Sequence, residues 1–172
     1  MSRWFVIIGA VLALGFAGVY AWLGGFRSPQ VDVLTTQQPV FVAGQYYAGI
    51  PGQEFGELFR EAGELQRSGR LRGTLGNLYY NAPESEGDSI KAFIGLVVAD
   101  TSQPLPTGFR YRTFAAGQRV VRARIQAHYM LAPGKLYPAL KAAAETQKLK
   151  LRQVYLERFP EEGPAEMVAV VK

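Results

Sequence analysis

Hydrophobic and polar positions fall into three rhythms along the chain. Residues 4–23 are apolar or small without a single charge. At a helical rise of 1.5 Å per residue such a run is about 30 Å long, enough to cross a bilayer. Residues 24–30, with Gly24-Gly25 and Ser28-Pro29, read as a linker. Strand-like alternation follows in Val31-Asp32-Val33-Leu34 and resumes in Pro39-Val40-Phe41-Val42-Ala43, which predicts one strand broken by a bulge or kink at Pro39. Over 53–67 the rhythm turns helical: Phe55, Leu58, Phe59, Ala62 and Leu65 share one face, and Glu54, Glu57, Glu61 and Glu64 take the rest. Two strands holding Tyr79 and Phe93 come next.

Residues 100–108, rich in Pro, Thr and Ser, read as a join. Alternation over 117–129 then predicts a strand, and 135–147 a helix. Pro138 is tolerable in that helix's first turn, and Leu136, Leu140 and Ala143 or Ala144 face the sheet. Strands over 149–159 and 167–171 close the chain. The pattern is an α+β fold in which a strand-helix-strand-strand unit occurs twice, related by a pseudo-twofold axis. It divides the chain into an N-terminal transmembrane anchor (1–24), a linker (25–30) and one domain (31–172), with halves at about 31–99 and 108–172.

The last strands of each half also match in detail. Asn77-Leu78-Tyr79 precedes Pro83-Glu84-Ser85-Glu86-Gly87, and Gln153-Val154-Tyr155 precedes Pro160-Glu161-Glu162-Gly163. Side chains two apart on a strand share a face, so each half presents an amide and a tyrosine together. Paired amide and tyrosine positions meeting in a cleft are the expected site.

Composition narrows the chemistry. The chain has no cysteine, which removes disulfides, thiolate metal sites and a cysteine nucleophile. Setting Arg3 and Arg27 aside from 19 basic residues leaves 17 against 14 acidic ones, a mild excess unlike the basic footprint of a nucleic-acid-binding domain. The apolar run is longer than the core of a signal peptide and ends in Trp22 at interfacial depth, which favours a retained single-pass anchor. Gly9, Ala13, Ala17 and Ala21 form a small-residue stripe within it, a composition common to membrane helices. By one charge, the flanks favour an inside N-terminus and an extracytoplasmic domain.

Several segments together resemble the GyrI-like domains, the effector-binding folds of bacterial multidrug regulators. They are Gly76-Asn77-Leu78-Tyr79-Tyr80-Asn81-Ala82-Pro83, Lys91-Ala92-Phe93-Ile94-Gly95, Leu136-Tyr137-Pro138-Ala139-Leu140 and Gln153-Val154-Tyr155-Leu156-Glu157. With a membrane segment in front, the arrangement resembles the branch represented by the animal ER-phagy receptor, which has one transmembrane helix and one GyrI-like domain. That receptor's long recruiting tail has no counterpart after Lys172, so its role is not expected here. The resemblance implies a small-molecule-binding cleft without a cofactor. Many of the family carry a glutamate two residues before the tyrosine of the last long strand, where it meets cationic drugs. Gln153 stands there in this chain, so a preference for cations is not implied.

The expected ligand-binding residues are Asn77, Tyr79, Gln153 and Tyr155, with Tyr47 and His128 on the rim beside Tyr46 and Tyr129. Tyrosine offers a flat apolar face and one hydroxyl, and an amide both donates and accepts, a combination suited to a planar ligand. The same four residues would equally fill a seam between halves. His128, the sole histidine, has no partner at a spacing that suggests catalysis or metal binding. Arg110, Arg112, Arg119, Arg122 and Arg124 form a run without an intervening acid, read either as a solvated strand face or as a patch for anionic partners.

The expected function is a membrane-tethered module binding a small hydrophobic or aromatic ligand, with the lipid bilayer as its other partner and no nucleic acid. A hydrolase of electrophilic small molecules is the weaker alternative, because Trp4 and Trp22 belong to the membrane segment and only Glu157 is placed to act as a base. A third is an adaptor that recruits a protein partner at the membrane, its cleft vestigial.

Overall fold

The computed structural model describes residues 3–81 and 87–172. In chain order the elements are α1 (Arg3–Trp22), β1 (Gln30–Thr35), β2 (Val40–Gly49), α2 (Gln53–Arg67), β3 (Thr74–Tyr79), β4 (Ile90–Val98), β5 (Arg110–Phe114), β6 (Arg119–Ile125), α3 (Ala132–Thr146), β7 (Leu151–Phe159) and β8 (Ala165–Val171). Among the described residues eight strands form one sheet in the order β1-β6-β8-β7-β3-β4-β2-β5, and each of these pairings is antiparallel. Read from either edge, the order is the same: an outer strand, then the first, third and second strand of a strand-helix-strand-strand unit. The two units meet where β3 pairs with β7, with Asn77 opposite Glu157 and Tyr79 opposite Tyr155.

The outer strands correct two expectations. β1 and β2 are not one broken strand, because β1 pairs with β6 and β2 with β4 and β5. The polar segment after the join is also a strand, β5, on the free edge of β2. Each unit therefore lends its leading strand to the other. In a flat sheet the six spacings between β1 and β2 would separate them by about 29 Å. The five steps from Thr35 to Val40 reach at most about 18 Å. The sheet must curl. Thr36 binds the other crossing loop, donating its N–H to the Gln118 carbonyl at 2.9 Å and accepting from the Gly117 N–H at 2.7 Å.

Curling gives each face a core. α2 and α3 cover one face, where Val121, Ala123, Leu136, Leu140, Ala144 and Ala169 are buried together. The other face carries no helix and closes on its own side chains, including Val42, Leu78, Phe93, Phe114, Val120 and Leu156. Three glycines run side by side across the first unit, Gly44 opposite Gly95 and Gly95 opposite Gly76. A Cβ on Gly95 would lie 2.0 Å from the Ala43 carbonyl oxygen, so the strands fold over each other more tightly than a side chain permits.

Two of the expected boundaries shift. The strand predicted to run to 129 stops at Ile125, and α3 starts at Ala132 rather than 135. Pro133 sits in its first turn, and Pro138 is therefore inside the helix. Two arginines of the run, Arg122 and Arg124, have the Asp32 carboxylate within ion-pair distance. Arg122 clasps Asp32 through two hydrogen bonds of 3.0 and 2.7 Å, holding β1 to β6. That bond, before any other cause, keeps the Asp32 carboxyl below its usual range. Arg158 pairs with Glu166 at 3.1 Å, and the Arg112 guanidinium lies 5.6 Å from the centre of the Phe93 ring.

Candidate functional site

Between α2 and α3, over the β3–β7 seam, lies a cavity of about 220 Å³. The first unit contributes Pro51, Phe55, Tyr79, Asn81 and Ile90, and the second contributes Pro133, Tyr137, Tyr155, Glu157 and Met167. Each unit supplies a proline and, four residues on, an aromatic ring. Pro133 opens α3, where its missing N–H costs no intrahelical bond and the i, i+4 spacing turns Tyr137 to the same side, whereas Pro51 lies in the turn before α2 and Phe55 in that helix's first turn. Phe55 meets Tyr47 at a tilt (5.1 Å) and Phe59 edge-on (5.0 Å), and Tyr137 meets Tyr155 at 5.9 Å. The walls are thus aromatic.

One carboxylate stands in this apolar setting. Glu157 is 7% exposed on the central strand β7. Asn77 Nδ2 donates to its Oε2 at a long 3.4 Å, and the Tyr79 hydroxyl also hydrogen-bonds it. Burial raises the Glu157 carboxyl to about 7, and the bonds from Asn77 and Tyr79 only partly offset that. The Tyr79 phenol is likewise pushed far above its usual range, by burial first and then by the neighbouring carboxylate. A group poised near neutrality beside two donors and three aromatic rings can bind a cation, or hold and release a proton.

The sequence-predicted residues divide between this cavity and elsewhere. Tyr79 and Tyr155 line it, and Asn77 is buried beneath it, bonded to Glu157. Gln153 does not reach it. Leu151 pairs with Val171 and Tyr155 with Ala169, so four steps on β7 pass two on β8, and Gln153 is exposed within that bulge. Alternation itself survives the shift, since Leu151, Tyr155 and Phe159 pack in the helix-covered core and Val154 and Leu156 in the other. Tyr47 is buried behind the wall, donating its hydroxyl to the Ile50 carbonyl at 2.6 Å, while Tyr46 is exposed. His128 and Tyr129 lie elsewhere, in a groove of about 690 Å³ shared with Trp22, Leu23, Arg27, Arg67 and Phe159. The turn comprising Pro83, Glu84, Ser85 and Glu86 is outside the described residues. The sequence offered Glu157 only as a substitute base on the face shared with Gln153 and Tyr155. The helix residues were legible as Pro51-x-x-x-Phe55 and Pro133-x-x-x-Tyr137, a repeat that the strand comparison overlooked.

No family model matches the chain, and no curated protein does. Solved structures do. An integron cassette protein from the mobile metagenome of Vibrio cholerae superposes with a TM-score of 0.60 at 13% identity, covering 85% of this chain and 97% of its own. The EcmrR C-terminal domain gives 0.56 at 12%, covering 84% and 97%. The domain shares the fold of these two proteins. EcmrR in its complex with DNA gives 0.57 at 14%, and there the match covers 99% of this chain but 68% of EcmrR. At these identities the likeness concerns the fold. What the cavity can do rests on this chain's own residues.

Proposed function

We propose that the protein is a membrane-tethered small-molecule receptor whose cleft takes a compact aromatic ligand carrying a basic nitrogen. The observation that carries this reading is Glu157, the acid of an otherwise aromatic cavity, held at a raised pKa with donors on one side and open space on the other. A cation entering the cavity gives the carboxylate the partner that burial has denied it, and the rings of Tyr137 and Tyr155 supply flat faces. The volume lies below the roughly 300–1,000 Å³ of common ligand pockets, which suits one substituted ring system. This restores the cationic preference that Gln153 argued against, through a different residue of the same strand.

Tethering rests on α1. Its 20 residues are long and apolar enough to cross a membrane, and none of its length is buried against the domain. Arg3 and Arg27 flank it, and by the positive-inside rule the domain is extracytoplasmic.

A calorimetric titration of the full chain in detergent with arylalkylamines, protonated near neutral pH, tests the reading. Binding is expected for amines and not for their neutral isosteres, and it should be lost in Glu157→Gln. Amine binding that persists in both Glu157→Gln and Tyr155→Ala would show that the cleft is not the site. A second reading, general-base hydrolysis by Glu157, is favoured by a pKa near operating pH. Turnover of an electrophilic substrate, abolished in Glu157→Gln, would put it first.

A further inference from the structure

α1 is fastened to the domain by more than the chain itself. Its end is a Schellman motif, with Gly25 N–H donating to Tyr20 C=O at 2.8 Å and Gly24 N–H to Ala21 C=O at 3.0 Å. Gly24 takes φ +80° and lies so close to the domain that a Cβ would sit 2.6 Å from the Gln126 carbonyl oxygen. Carbonyls just past the helix are then taken by the domain. The His128 N–H donates to Leu23 C=O at 2.9 Å, and the Lys135 ammonium donates to Gly25 C=O and, at 2.9 Å, to Arg27 C=O. Helix end, turn 126–130 and the first turn of α3 form one unit.

That unit sets the level of the turn along the axis of α1. Tyr129 and Met130 are 58% and 73% exposed, and at the helix end Trp22 and Phe26 are 83% and 70% exposed. Trp22 and Tyr129 line the same groove beside Arg27. Large apolar side chains gathered at a helix end, with aromatics and a cation among them, have the composition of a membrane–water interface. We propose that the 128–130 turn rests in the headgroup layer of the bilayer that α1 spans, with Tyr129 and Met130 in contact with lipid. This rests on the anchor reading of α1. It places the groove mouth among the headgroups and sets α3, which carries Pro133 and Tyr137 of the cleft, directly behind the lipid contact.

The other unit provides an internal control. Five successive antiparallel pairings separate β6 from β2, so the turn after β2 lies at the opposite end of the sheet. It exposes Ile50 at 62%. Because the chain has no cysteine, single-cysteine variants of the full protein need no background changes. Nitroxides at Leu14→Cys, Met130→Cys and Ile50→Cys, in vesicles of phosphatidylcholine and phosphatidylglycerol, report collisions with oxygen against a water-soluble nickel chelate. The oxygen-to-nickel ratio is expected to be highest at 14, several-fold above the aqueous value at 130, and aqueous at 50. A label at 130 as aqueous as the one at 50, with 14 still in lipid, overturns the seat and leaves the anchor standing. An aqueous label at 14 overturns the anchor, and the seat with it.

Discussion

The two units occupy matching places in one sheet but bend it by different means. In the first, Gly44, Gly95 and Gly76 stand side by side, and the sheet folds where side chains are missing. β6, β8 and β7 of the second unit contain no glycine. There the irregularity is the bulge in β7 between Leu151 and Tyr155. One curvature, obtained twice, has unequal consequences for the site. A glycine row leaves alternation intact, so Asn77 and Tyr79 keep the face their spacing assigns. Along β7 the alternation also survives the shift, yet Gln153, the nominal counterpart of Asn77, is exposed while Glu157 lines the cavity. The units also part at the end of their first strands. β2 continues through Tyr47 to Gly49, whereas β6 stops at Ile125 and the residues beyond it hold the end of α1.

The sharpest way to break this comparison is to fill the glycine row. Gly95→Ala places a Cβ against the Ala43 backbone, and a loss of at least about 3 kcal/mol in denaturant unfolding is expected. A loss below about 1 kcal/mol would mean that the first unit does not depend on close approach there.

Next in size is the carboxylate that the second unit alone contributes to the cavity. The folded protein keeps the Glu157 proton up to about pH 7, whereas the unfolded chain sheds it near 4.5. Between these values the folded form binds more protons, so this group's contribution to stability is full below 4.5 and lost as pH rises through 7. Glu157→Gln should therefore raise stability at pH 8 by up to ~3 kcal/mol and flatten the decline between pH 5 and 8. A variant curve parallel to that of the wild type would place the titration elsewhere. Asp32 works in the opposite direction, because Arg122 holds its pKa down and its contribution disappears on acidification. Being partly exposed, that pair contributes no more than about 1 kcal/mol.

Smaller still is the junction peculiar to the second unit. Gly24→Ala meets both a positive φ and the Gln126 carbonyl, and a loss of about 1–2 kcal/mol is expected. Protease cleavage in the 24–30 segment should quicken with it, and an unchanged cleavage rate would argue against a locked junction. The smallest effect belongs to Gln153→Ala, within about 0.5 kcal/mol and with ligand binding unchanged. A clear loss of binding would return Gln153 to the cleft.

How much of this the sequence displayed depends on how local each cause is. α2 was legible to its ends because its apolar face and its acids keep a helical period for fifteen residues. β5 was hidden because Arg110, Arg112 and Thr113 give no apolar alternation, and its pairing partner β2 lies about seventy residues earlier. The exchange of β1 and β5 between units follows from sheet closure, a global property that no window of sequence contains. Tyr79 and Tyr155 were found through their spacing. Glu157 was found only as a possible substitute, because its weight comes from burial, which depends on α2, α3 and β8 arriving over it.

The cleft reading stands on Glu157 being the anion that a ligand meets. The most direct measurement is the affinity of an arylalkylamine, as basic as a lysine side chain, for the full chain from pH 5 to 9, beside its neutral isostere. The amine, charged throughout, should bind about tenfold more weakly for each pH unit below 7, as the carboxylate takes up its proton, and level off above it. The isostere should show no such dependence. Amine and isostere binding equally well with flat profiles would contradict the account.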